Sequence, residues 1–134
     1  MIKKIDHIGI AVENLDESIK IFKEQLGLKL IEREEVLEQM VNVAKFRVGN
    51  VDIELLEPTS QNSPIAKYIE KKGVGIHHIA YEVDDLDKSI KNLIDKGLRM
   101  IDIKPRKGAG NKKIAFIHPK STIKILTELC EEDK

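Results

Sequence analysis

The sequence predicts an α+β fold built from two tandem βαβββ modules that form curved sheets. Three observations predict it: an internal repeat, strict alternation at the start of each copy, and matching helix signals behind it. DHIGIAVENLDESIK (6–20) lies over HHIAYEVDDLDKSIK (77–91) at an offset of 71, with eight of fifteen pairs identical. His7/His78, Leu15/Leu86 and Asp16/Asp87 are among them. One deletion later, Leu26-Gly27-Leu28 meets Lys96-Gly97-Leu98, so the match runs through a strand, a helix and a helix stop. A fixed period of this kind marks a duplicated supersecondary unit.

Taken in order, residues 5–12 and 76–83 alternate in the manner of half-buried strands. Ile8, Ile10 and Val12 share one face of the first, and Ile79, Tyr81 and Val83 share that of the second. Asn14 and Asp85 are placed to cap the helices that follow, and Glu17 three residues after Asn14 makes a capping-box pair. Ile19, Phe22 and Leu26 form one helical stripe, and Ile90, Leu93 and Ile94 the other. Gly27 and Gly97 suit the left-handed position that ends a helix. Strands at 28–36, 41–48 and 51–57 complete the first module, with Gly49-Asn50 as a tight turn. Strands at 98–103, 112–118 and 122–130 complete the second. Between them Ser63-Pro64 opens a short helix that Gly73 closes. The modules cover about 1–60 and 75–131, the linking helix about 63–73, and all belong to one domain.

Composition narrows the function. The chain has 134 residues, 41% apolar and 34% charged, which suits one globular core. Twenty-three basic residues balance 23 acidic ones, so a nucleic-acid or membrane footprint is not expected. The apolar run at the start is broken by Asp6 and His7, too early for a signal peptide or a membrane span. A single cysteine, Cys130, leaves no internal disulfide and no cysteine-based zinc cage. A cytoplasmic location is expected.

The remaining face of each leading strand is unusual. It carries Ile5, His7, Gly9 and Ala11 in one copy, and Ile76, His78, Ala80 and Glu82 in the other. Each histidine is followed on its own face by a residue too small to fill space. The last strand of each module carries a carboxylate out of phase with its apolar neighbours: Glu54 beside Ile53 and Leu55, Glu128 among Ile123, Ile125 and Leu129. A pseudo-twofold arrangement lets two histidines and two carboxylates converge on one divalent metal ion. Imidazole with carboxylate suits cobalt, manganese, nickel, zinc or iron better than calcium or magnesium. Singly, a histidine in a strand is commonly structural; its recurrence at the same place in both copies points to a site.

These residues resemble the vicinal oxygen chelate superfamily, and within it the methylmalonyl-CoA epimerases over essentially the whole chain. The resemblance is carried by DHIGIAVENLDESIKIF, GNVDIELLEPTS, SPIAKYIEKKGVGIHHIAYEVDD, PRKGAGNKKIAFIHPK and the terminal ILTEL. It implies paired modules around a metal cleft, with His7, His78 and Glu128 as ligands and Glu54 in the fourth position, where some epimerases have Gln. It also implies an acyl-CoA substrate and a homodimer. Two departures stand out. The glutamate that some epimerases use as a base is Val43 here, with Met40 in place of the preceding glycine. The glycine common before the final strand is Lys124. Glu128 is then one expected base, and Glu54 the expected second. Arg106, Lys107, Lys112 and Lys113 flank the Gly108-Ala109-Gly110 loop, whose amides and cations would suit CoA phosphates. Glyoxalase I shares the His, Glu, His, Glu order and is the competing reading. A metal-free binding module of the same fold would have no need of the ligands. His77, His118 and Cys130 are expected to be structural.

Overall fold

Alternation and helix signals translate directly into elements. The computed structural model describes residues 1–132. Strands β1 (Ile2–Ala11), β2 (Lys29–Val36), β3 (Val41–Val48) and β4 (Val51–Pro58) come first, with helix α1 (Leu15–Lys20) after β1. Helix α2 (Pro64–Lys72) leads to β5 (Gly75–Val83), α3 (Leu86–Asp95), β6 (Arg106–Lys107), β7 (Lys112–Ile117) and β8 (Thr127–Glu132). The chain divides into two compact units, His7–His77 and Met1–Asp6 together with the residues from His78 onward.

In the first unit the strand order is β2-β3-β4-β1, antiparallel except for the β1–β4 pair. Ile10, Val12, Ala44, Phe46, Ile53 and Leu55 form one face, packed against Leu15, Ile19 and Phe22 of the helical segment. On the other face, Ala11, Val41, Val43 and Leu56 pack against Ile65, Tyr68 and Ile69 of α2. In the second unit the order is β1-β5-β8-β7-β6, with β1 represented by its first residues. β5 and β8 run parallel there. Val83, Leu86, Ile90, Met100, Ala115, Ile117 and Leu129 make its core.

The helix signals act as expected. Asn14 and Asp85 accept the backbone N–H of Glu17 and Lys88, and Ser63 accepts that of Ile65. Gly27 (φ 74), Gly73 (φ 79) and Gly97 (φ 92) end the helical segments in left-handed geometry. A second capping device appears in both units. Glu57 accepts the N–H of Leu15 at 2.8 Å, and Glu131 accepts that of Leu86 at 2.8 Å. Each strand that bears a candidate glutamate therefore also ties down the start of a helix, three residues further on. Replacing Glu57 with Ala strands the N–H of fully buried Leu15. The expected loss, about 1–2 kcal/mol by chemical denaturation, is the cost of an unmet buried donor; unchanged stability would assign that role to other groups.

Several boundaries differ from the sequence reading. After α1 the chain widens into a π-helical turn, Ile21–Gln25, with Leu26 N–H bonded to Ile21 O. The wider turn rotates Leu26 off the stripe, leaving it 61% exposed. Ile94 is likewise exposed on α3. The strand expected at 98–103 reduces to a single bridge, Met100 with Ile117, and the paired segment is Arg106–Lys107. Here the Asp102 carboxylate accepts the Phe116 N–H at 2.8 Å, in place of a backbone partner, and Pro105 has no N–H to donate. The final strand begins at Thr127 rather than 122. Before it, Ile123 (φ 56) and Lys124 (φ 66) turn through left-handed geometry, leaving Ile123 90% exposed. Met40 is left-handed too (φ 52), so both departures from the family's glycines fall where glycine would be least strained.

Candidate functional site

Each unit holds one histidine–carboxylate pair on corresponding strands. In the first, β1 and β4 align Gly9 with Glu54, and His7 lies two residues before Gly9. In the second, β5 and β8 align Ala80 with Glu128, with His78 two residues before Ala80. The small residue opposite each glutamate leaves room beside the histidine. All four residues are at most 6% exposed.

The spacings within the pairs match. His7 Nδ1 lies 3.5 Å from Glu54 Oε2, and His78 Nε2 lies 3.4 Å from Glu128 Oε1. These exceed a direct N–H···O bond, at about 2.7–3.2 Å. Two donors each about 2.1 Å from a common ion stand about 3.0 Å apart at a right angle and about 3.4 Å apart at the tetrahedral angle. Buried nitrogen and carboxylate oxygen at this separation therefore fit adjacent positions on a divalent first-row ion. A ring contact steadies one of the imidazoles: the Phe116 ring meets His78 edge-on, centroids 5.9 Å apart.

The basic candidates separate. Lys107 pairs with Lys113 across the β6–β7 hairpin, both exposed. Lys112 turns the other way, 2.6 Å from the Asp6 carboxylate. The Arg106 guanidinium stacks over Phe116 at 5.2 Å while its Nε lies 3.2 Å from Asp102. Gly108 is buried with its N–H on Lys112 O, and a Cβ there would approach Ile114 to 2.6 Å. The loop thus needs glycine at this point for close packing. Cys130 is a protonated thiol: burial above all, then Asp6 and Glu128, pushes it well above the usual range. His77 packs edge-on against Tyr68, and His118 caps the Lys120 N–H.

Lys45 is the residue that the sequence reading passed over. It is 6% exposed and directly across from Glu54 on β3. Its sequence signal is slight: a cation between Ala44 and Phe46 in VNVAKFRV, a strand that also carries Asn42 and Arg47.

Residues 6–116 match the family model of the glyoxalase/bleomycin resistance protein/dioxygenase superfamily. The chain is similar to the mitochondrial methylmalonyl-CoA epimerase of Dictyostelium discoideum, 39% identical over 98% of this chain and 80% of that protein. It is similar to the ethylmalonyl-CoA/methylmalonyl-CoA epimerase of Cereibacter sphaeroides, 35% identical over 96% and 98%. Among solved structures, a methylmalonyl-CoA epimerase in complex with methylmalonyl-CoA and NH4+ superposes with a TM-score of 0.93. It is 35% identical, covering 98% of this chain and 96% of that one.

Proposed function

The chain belongs to the glyoxalase/bleomycin resistance protein/dioxygenase superfamily and, within it, to the methylmalonyl-CoA epimerases, and from that premise we propose that it inverts C2 of methylmalonyl-CoA by metal-dependent proton transfer. The observation that carries the metal part is the repeated, buried histidine–carboxylate pair. In this reading His7, Glu54, His78 and Glu128 hold one divalent ion, of cobalt, manganese, nickel or zinc.

The C2–H of the substrate lies between a thioester carbonyl and a carboxylate, so its removal yields an enolate. A bound divalent ion would supply Lewis-acid stabilisation of that negative charge. The protein supplies the rest. Inversion needs a proton acceptor on each face of C2. Glu128 serves one face and Glu54 the other, each becoming the acid when the reaction runs in the opposite sense. Burial of both carboxylates keeps competing water from the carbanion carbon. Arg106, Lys107 and Lys113, with the amides of the Gly108 loop, meet the CoA phosphates. Lys112, held by Asp6, adds its charge from the other side of β7.

Among the described residues no helix is long and apolar enough to cross a membrane. We place the enzyme in the cytoplasm as a homodimer, which sedimentation would register as twice the chain mass. The deciding assay offers two substrates to the metal-loaded protein. Solvent deuterium should enter C2 of methylmalonyl-CoA, and the hemithioacetal of methylglyoxal and glutathione should be left unchanged. Turnover of the hemithioacetal alone would make the protein a glyoxalase I.

A further inference from the structure

The segment before β6 gives up most of its ladder, and the contacts that replace it converge on Phe116. The Phe116 carbonyl accepts the N–H of Ile101 at 2.8 Å and that of Asp102 at 3.3 Å. Its own N–H donates to Asp102 Oδ2 at 2.8 Å. The other oxygen of that carboxylate, Oδ1, lies 3.2 Å from Arg106 Nε. Arg106 in turn holds its guanidinium over the Phe116 ring, 5.2 Å from the centroid. One side chain, Asp102, therefore fixes both the backbone of Phe116 and the cation that covers its ring.

The ring passes this constraint to a candidate metal ligand. Its plane stands at 83° to that of His78, with the centroids 5.9 Å apart. Phe116 is directly across from Glu128, which lies 3.4 Å from His78 Nε2, so ring, carboxylate and imidazole meet on one face of the second unit. The first unit has a different residue at the corresponding place. Across from Glu54 stands Lys45, whose ammonium faces Glu32 and Glu34 of β2. The two histidines are equivalent in the repeat but not in this neighbour.

An imidazole ligates through one nitrogen whose lone pair must point at the ion, and the ring torsion that aims it is intrinsically broad. A perpendicular aromatic neighbour narrows that torsion, and a guanidinium over the neighbour's face adds attraction of its own. We propose that Phe116, clamped by Asp102 and Arg106, is a positioning residue that holds the His78 imidazole in its ligating orientation. This rests on the metal-centre reading and gives Arg106 a duty besides the CoA phosphates.

The test uses Phe116→Leu, which keeps an apolar side chain and removes the ring. In the metal-free protein, nuclear magnetic relaxation of the ring C–H groups should show a lower order parameter for His78. That of His7 should keep its wild-type value. Titration with cobalt should show affinity weakened by about tenfold or more, the scale of losing a group that orients a ligand. Phe116→Tyr keeps the ring and should restore both readings. Should the Leu variant fail to fold, Arg106→Leu, at a side chain 49% exposed, makes the same comparison with smaller changes in the same direction. No CoA is present, so a lost phosphate contact moves neither reading. Unchanged order at His78, equal loss at both histidines, or undiminished cobalt affinity would each overturn the proposal. A wild type that binds no metal would instead sink the metal reading and this role with it, an outcome read from the wild-type titration alone.

Discussion

His7→Ala and His78→Ala are each expected to abolish bound metal and epimerisation while the chain stays folded. Both imidazoles are buried and lie 3.5 and 3.4 Å from a carboxylate, so each removal takes away a candidate nitrogen ligand and the imidazole beside a buried glutamate. Loss of Lewis-acid stabilisation worth several kcal/mol corresponds to at least about a 10³-fold fall in rate. Elemental analysis of the purified variants, deuterium exchange at C2 and circular dichroism give the three readouts. Neither histidine is part of the hydrophobic clusters that hold the units, so native-like dichroism should persist. Full metal occupancy in both variants would remove these residues from the site.

Glu54→Gln tests the second base. The amide keeps an oxygen able to ligate but cannot take a proton, so metal should remain while epimerisation falls by about 10²-fold or more. The two C2 enantiomers should then separate. One still delivers its proton to Glu128 and continues to exchange, whereas the other stops. Val43, which replaces the glutamate some epimerases use there, has nothing to titrate and packs with Leu56 and Ile65. Near-normal exchange from both enantiomers would confine Glu54 to ligation. The search for a base would then move to Glu34, which lies directly across from Val43.

Much of this was legible in the sequence because the signals were local or duplicated. Caps at Asn14, Ser63 and Asp85 and stops at Gly27, Gly73 and Gly97 depend on a few adjacent residues, and each acts as read. The histidines and glutamates stood out because the repeat presented each of them twice. What stayed hidden depends on register. Lys45 gains meaning only when β3 is aligned with β4, and the repeat has no identity at that point, since its counterpart is Phe116. Glu57 and Glu131 repeat at the same offset as Glu54 and Glu128, but sequence alone does not separate such a pair from ordinary solvent-facing charge. The strand expected at 98–103 dissolved because a side chain, Asp102, occupies the Phe116 N–H. Alternation cannot reveal that. Lys112 looked equivalent to Lys113, yet strand geometry sends neighbours to opposite faces, and Asp6 holds one of them.

The opening strand serves two masters. Ile2–Asp6 groups with residues from His78 onward, through contacts such as Lys3 with Glu82 and Asp6 with Lys112, while His7–Ala11 pairs with β4 of the first unit. On the ribosome this sets an order of events. The first unit can close as soon as its own helix and hairpins have emerged, but the opening residues must wait for β5 to follow, and Asp6 for Lys112. Asp6 and Lys112 are 106 residues apart in sequence, and a contact of that separation is entropically slow to form. Until it forms, those residues are an unpaired edge open to other nascent chains. Moving the first six residues to the far end of the gene, behind a linker, would let the second unit close locally, at the cost of cutting one strand just before a candidate ligand.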